Sequence, residues 1–188
     1  MKRTWICLAG LAAALAGCAA PTGYSSGGAG TDEPNVYVAR EAFGVEKVGI
    51  LPFKAATALV GGSVSDLFVT ELMKMNRYEL VERAQMSGVL GETEVALSGL
   101  TSGQAAQLGQ MIGADGVIVG TVSEYELVAQ GGRTYPTVGI SIRLIDAGTG
   151  KILWSVDHAA RGGKSDTLAQ HARAVVRDMA AALDRQLR

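Results

Sequence analysis

Two cysteines and two histidines are all that this 188-residue chain offers to thiolate or imidazole chemistry. Cys7 and Cys18 both fall within the first eighteen residues, which excludes a disulfide framework or a thiolate metal site inside a folded domain. The histidines, His158 and His171, belong to no HExxH motif and to no paired His/Cys spacing. There is no GxSxG, no GxGxxG and no phosphate loop with its lysine. Charge of one sign is lacking too: 17 Lys and Arg against 18 Asp and Glu make no electrostatic case for nucleic acid. Nor is there an apolar run long enough to cross a membrane as a helix. The N-terminal run, Trp5 to Ala16, has 12 residues, against the roughly 20 that a span requires.

What is there begins with that short run. Lys2 and Arg3 precede it, and Leu15-Ala16-Gly17-Cys18 closes it. A charged start, an apolar core and small residues before a cysteine form the signal of a bacterial lipoprotein, with Cys18 as the lipid attachment. Removing the first 17 residues leaves 171, one domain's worth of chain. It also removes Lys2, Arg3 and Cys7, leaving 15 basic residues against 18 acidic ones and no free thiol. Ala19 stands where an aspartate would favour inner-membrane retention in many Gram-negative bacteria, so attachment to the outer membrane, facing the periplasm, is expected. Pro21, Gly23, Ser25, Ser26, Gly27, Gly28, Gly30 and Pro34 cannot bury enough surface to offset their ordering entropy. The chain therefore divides into a signal peptide at 1–17, a lipidated cysteine with flexible linker at 18–35, and a periplasmic domain at 36–188.

Within the domain the pattern alternates between strand and helix. Lys47 to Phe53 reads as a buried strand ended by Pro52. Val64, Leu67, Phe68, Leu72 and Met75 fall at helical spacing, with Ser63 or Ser65 as the expected cap after Gly61-Gly62. Tyr78 to Glu82 is a second strand, and a weak helix follows near 84–90. Thr101 and Gln104 have capping-box spacing before a helix that Gly113 ends. Gly116 to Val128 starts as buried β-branched residues and turns polar. Val138, Ile140, Ile142 and Leu144 alternate with wetter residues, Asp146 to Gly150 turns the chain, and Ile152, Trp154 and Val156 return it. Leu168 to Leu183 makes a long final helix. Crossover connections at the start demand parallel pairing, and the closing hairpin adds antiparallel strands. The expected fold class is α/β: one three-layer-like domain, a mixed, partly parallel sheet with helices packed on it.

Asp157 and His158 are strand neighbours pointing to opposite faces, which precludes an acid–base dyad. They read as a strand-end pair, and His171 as an exposed helix histidine. Gly61-Gly62-Ser63 would present helix amides to an anion, but reads as a loop and cap. Glu124 and Glu126 share one face of a strand and read as solvated, with a cation or a basic partner as the alternative. Arg173 and Arg177, one helical turn apart, read as a solvated face, with a carboxylate-bearing partner as theirs. Met73, Met75 and Met86 read as core filler. Trp154 falls on an apolar face, so its indole needs a buried partner.

Four segments carry a family resemblance: VGILPF (48–53), VSDLFVTELMKMNRYELVER (64–83), QLGQMIGADGVIVGTVSEYE (107–126) and ISIRLIDAGTGKILWS (140–155). In order and spacing they resemble the curli-secretion lipoproteins, the CsgG-like family. The resemblance implies a periplasmic α/β domain tethered to the outer membrane and a tendency to form rings. Channel-forming members insert long amphipathic hairpins, each strand needing about 9–11 residues to span. Here the connection 127–136, which includes Gly131, Gly132 and Pro136, offers about ten residues in all, and 159–164 is shorter. This chain is expected to be a short member without the barrel hairpins and not itself a pore.

The expected function follows: a non-catalytic outer-membrane lipoprotein that binds envelope proteins and supports assembly or secretion of a surface structure. No cofactor, metal or nucleic acid is expected. The partners are the membrane through Cys18, unnamed envelope proteins and a possible homo-oligomer, with edge strands and the 131–136 loop as contact candidates. The alternatives are a periplasmic activator of a peptidoglycan synthase and a small-ligand domain using the helix start near Gly61.

Overall fold

Strand β2 (Lys47–Ile50) pairs in parallel with both β3 (Glu79–Val81) and β4 (Gly116–Gln130), because a helix-containing crossover follows each of the first two. The computed structural model describes residues 33–81 and 101–188. The remaining strands are antiparallel: β5 (Arg133–Asp146) lies against β4, β6 (Ile152–Arg161) against β5, and β1 (Asn35–Val38) against β6. The sheet order is β1-β6-β5-β4-β2-β3. With helices α1 (Ala58–Met75), α2 (Ser102–Met111) and α3 (Leu168–Leu187), this is the mixed α/β domain expected from the pattern. The 84–90 helix lies outside the described residues.

Two apolar clusters explain the layering. On one face α1 and α3 bury Val64, Phe68, Leu72, Val175, Val176, Met179 and Leu183 against Ile140, Ile142, Leu144 and Trp154. On the other, α2 buries Ala105 and Leu108 against Leu51, Val117, Val119 and Ile145. Alpha-helical cover on that second face stops at the parallel end. Beyond it the antiparallel strands turn Ser141, Arg143 and Asp157 to solvent.

The capping box at Thr101 and Gln104 is present, and a second one, Thr167 with Gln170, starts α3. Gly113 leaves α2 at φ +64°, in the left-handed region. Asp146 Oδ1 accepts from the Thr149 backbone N–H at 2.6 Å and from its hydroxyl at 2.7 Å, fixing the β5–β6 turn.

Helix α1 starts earlier than its sequence suggests. Thr57 is the cap, its Oγ1 accepting from Val60 N–H at 3.3 Å, so Gly61, Gly62 and Ser63 lie inside the helix. The reason for Gly61 is contact: a Cβ there would sit 1.9 Å from the Phe53 carbonyl oxygen. Ser63 and Ser65 are therefore not caps; Ser65 Oγ donates to the Gly62 carbonyl at 2.8 Å. The segment 127–136 is not a loop either. It forms the ends of β4 and β5, joined by Gly131 and Gly132 at φ +59° and +72°. A two-residue turn with both φ positive matches the twist of the strands it joins.

Candidate interaction surface

The hairpin formed by β4 and β5 outruns its neighbours. On its outer side β4 is paired with β2 at residues 116–118 and bridged by Lys54 at Thr121. A bulge between Val122 and Glu124 follows, and from Glu124 to Gln130 no described strand lies beside it. On the inner side β6 accompanies β5 only as far as Thr137, opposite Arg161. The tip, 127–130 against 133–136, thus projects as a two-stranded ribbon.

Glu124 and Glu126 are exposed on one face of this ribbon, as their spacing predicts. On the same face Arg161 stacks over the Tyr135 ring, 5.1 Å from its centroid, and donates to Gln130 Oε1. Leu127 is 58 % exposed and Val128 38 %. These apolar residues at a strand end lie beside two carboxylates without an ion-pair partner among the described residues.

The polar candidates do not converge elsewhere. Asp157 faces solvent and His158 the helical side, so they form no dyad. His171 is buried, which corrects the exposed reading. The first turn of α3 lies over the end of β6 and places His171 Nε2 2.8 Å from the Ala160 carbonyl oxygen. Arg173 is exposed, and Arg177 reaches its neighbour Asp178 at 3.6 Å. Arg177 also lines a shallow groove of about 150 Å³ between α1 and α3, with Glu71, Lys74, Met75, Ala180, Ala181 and Asp184. Its walls carry both signs of charge, so it selects for no one ligand. No group of three metal-ligating side chains occurs among the described residues. The helix start that was to hold an anion is not at Gly61-Gly62. Met73 is 66 % exposed on the outer side of α1, a correction of its core reading, while Met75 is half-buried against the core. Met86 and Cys18 lie outside the described residues.

One structural residue escaped the sequence reading. Arg77 donates to the Leu187 carbonyl at 2.9 Å and lies over the rings of Phe43 at 5.3 Å and Tyr78 at 5.8 Å. It ties the end of α3 to the α1–β3 connection and to Phe43, just before β2. Its Nε is buried without a hydrogen-bond partner among the described residues. No motif announces it, because two of its partners, Phe43 and Leu187, come from distant parts of the chain.

The family model for the curli production assembly/transport component CsgG matches residues 47–183. The chain belongs to this family. Among solved structures, this CsgG-family chain resembles the PelC dodecamer from Paraburkholderia phytofirmans at 17 % identity and a TM-score of 0.58. That alignment covers 78 % of this chain and 92 % of the other. It also resembles the lipoprotein GNA1162 from Neisseria meningitidis at 26 % identity and a TM-score of 0.52, covering 72 % of this chain and 99 % of the other. No curated protein sequence matches it. No helix among the described residues is long and apolar enough to cross a membrane.

Proposed function

We propose that this CsgG-family chain is a non-catalytic lipoprotein, anchored through Cys18 to the outer membrane, whose periplasmic domain binds envelope proteins and supports assembly or secretion of a surface structure. Family membership over 47–183 is the observation that carries the reading. The lipoprotein signal ending at Cys18 supports it, and so does the likeness to GNA1162, itself described as a lipoprotein. The hairpin tip has four residue pairs beyond the end of β6, against the 9–11 residues per strand that a bilayer takes. That length suits a part that works beside a secretion channel.

The mechanism is local concentration. Lipid and linker confine the domain to the membrane surface, so contacts too weak to persist in free solution are formed repeatedly near one partner. The test is Cys18→Ala, followed by membrane fractionation and crosslinking pull-down through a tag placed after Arg188 on a spacer. Release of the chain from the membrane with loss of a discrete envelope partner is expected. Unchanged fractionation and an unchanged envelope phenotype would sink the proposal.

A further inference from the structure

We propose that two copies of this chain pair through the free edges of their β4 strands, antiparallel and centred on Leu127. The direction of the backbone groups follows from the turn. With Gly131 and Gly132 both at positive φ, Gln130 and Arg133 close a two-residue hairpin and exchange their backbone hydrogen bonds. Alternation then commits Gln130, Val128, Glu126 and Glu124 to β5. Ala129, Leu127 and Tyr125 aim their N–H and C=O groups at the open edge.

An independent bond agrees. The Gly162 N–H donates to the Pro136 carbonyl at 2.8 Å, so Pro136, opposite Leu127, faces away from β4. The same bond closes the other side of the ribbon: Pro136 has no N–H, and its carbonyl is engaged. Among the described residues, only the β4 edge of the ribbon is open.

Its occupant is argued from self-complementarity. About a two-fold axis at Leu127, Leu127 meets its own copy, Tyr125 meets Ala129, Glu126 meets Val128 and Glu124 meets Gln130. Three outward residues per chain then exchange backbone hydrogen bonds. Exposed Leu127 is covered, a large ring faces a methyl group, and neither glutamate lies opposite another. Moving the axis to residue 126 would set Glu126 against Glu126, which is destabilising. Moving it to 128 would push Tyr125 against the turn at Gly131. The edge carries no lysine, no proline and no covering segment among the described residues, three of the devices that blunt such an edge, and its bulge precedes Glu124, before the residues that would pair. A shared patch on both partners is what a two-fold dimer requires. The pairing stands independently of the envelope partner proposed above.

The test uses the full chain in detergent. Opposed residues of a hydrogen-bonded antiparallel pair lie about 5.5 Å apart between Cα atoms, within disulfide reach. Leu127→Cys is therefore expected to give an oxidised dimer above the background of the unmodified chain, and Ala129→Cys alone is not. Leu127→Pro removes only the outward N–H and should keep the fold by circular dichroism while halving the sedimenting mass. Absence of the Leu127→Cys dimer, or an unchanged mass for a folded Leu127→Pro chain, overturns the proposal.

Discussion

Trp154 Nε1 donates to Tyr78 Oη at 3.1 Å, joining two buried side chains 76 positions apart. Trp154 also stands at one end of a row of rings, its centroid 6.3 Å from that of Phe68, which is 6.1 Å from Phe53. The bond fastens the end of the α1–β3 connection to β6. Tyr78→Phe would leave the indole N–H without its partner and is expected to cost about 1–3 kcal/mol in urea unfolding at neutral pH.

The same tyrosine sets an alkaline limit. Burial raises its phenol above the usual 10.0, outweighing the opposite pull of the Trp154 indole and the Arg77 guanidinium. The folded state therefore holds the proton more tightly than the unfolded state does. This contribution is intact below pH 10.0 and is lost as the pH rises from there through the folded value. Unfolding curves on either side of that pH should show the wild type losing more stability than Tyr78→Phe. Equal slopes would refute the assignment.

Adjacent glycines in α1 should respond with opposite sign. Gly61→Ala drives a methyl group into the Phe53 carbonyl and should destabilise by about 3 kcal/mol. Gly62 has open space where its Cβ would go, so Gly62→Ala should stabilise by about 0.5–1 kcal/mol through helix propensity alone. Denaturant midpoints moving in the same direction would count against this packing of α1.

Removing the cap of the last helix should act on the whole domain, because α3 supplies much of the larger core. Thr167→Ala loses the acceptor for the Gln170 N–H at 3.2 Å and is expected to lower stability by about 0.5–2 kcal/mol. Thr167→Ser keeps the oxygen and should lie near the wild type.

What the sequence made legible was local. The capping box at Thr101, the turn at Asp146 and the alternation of Val138 to Leu144 are decided within a few residues, and each appears in the structure as expected. The start of α1 was misplaced because Gly61 reads as a breaker to anyone who cannot see the Phe53 carbonyl against it. The ends of β4 and β5 were missed for a related reason: polar residues on both strands hide the period, although Gly131-Gly132 is itself a hairpin signal. His171 and Met73 were misjudged for want of knowing which side of each helix meets the sheet. As for the site, the face shared by Glu124 and Glu126 was visible. The open edge beside it was not, since an edge exists only once the other strands have taken their places.

Helix α3 follows all six strands of the sheet and carries Val175, Val176, Met179, Leu183 and Leu187 into the core. Without them α1 alone covers the helical side of the sheet. The larger core therefore stays half open until a segment beyond the last strand is supplied.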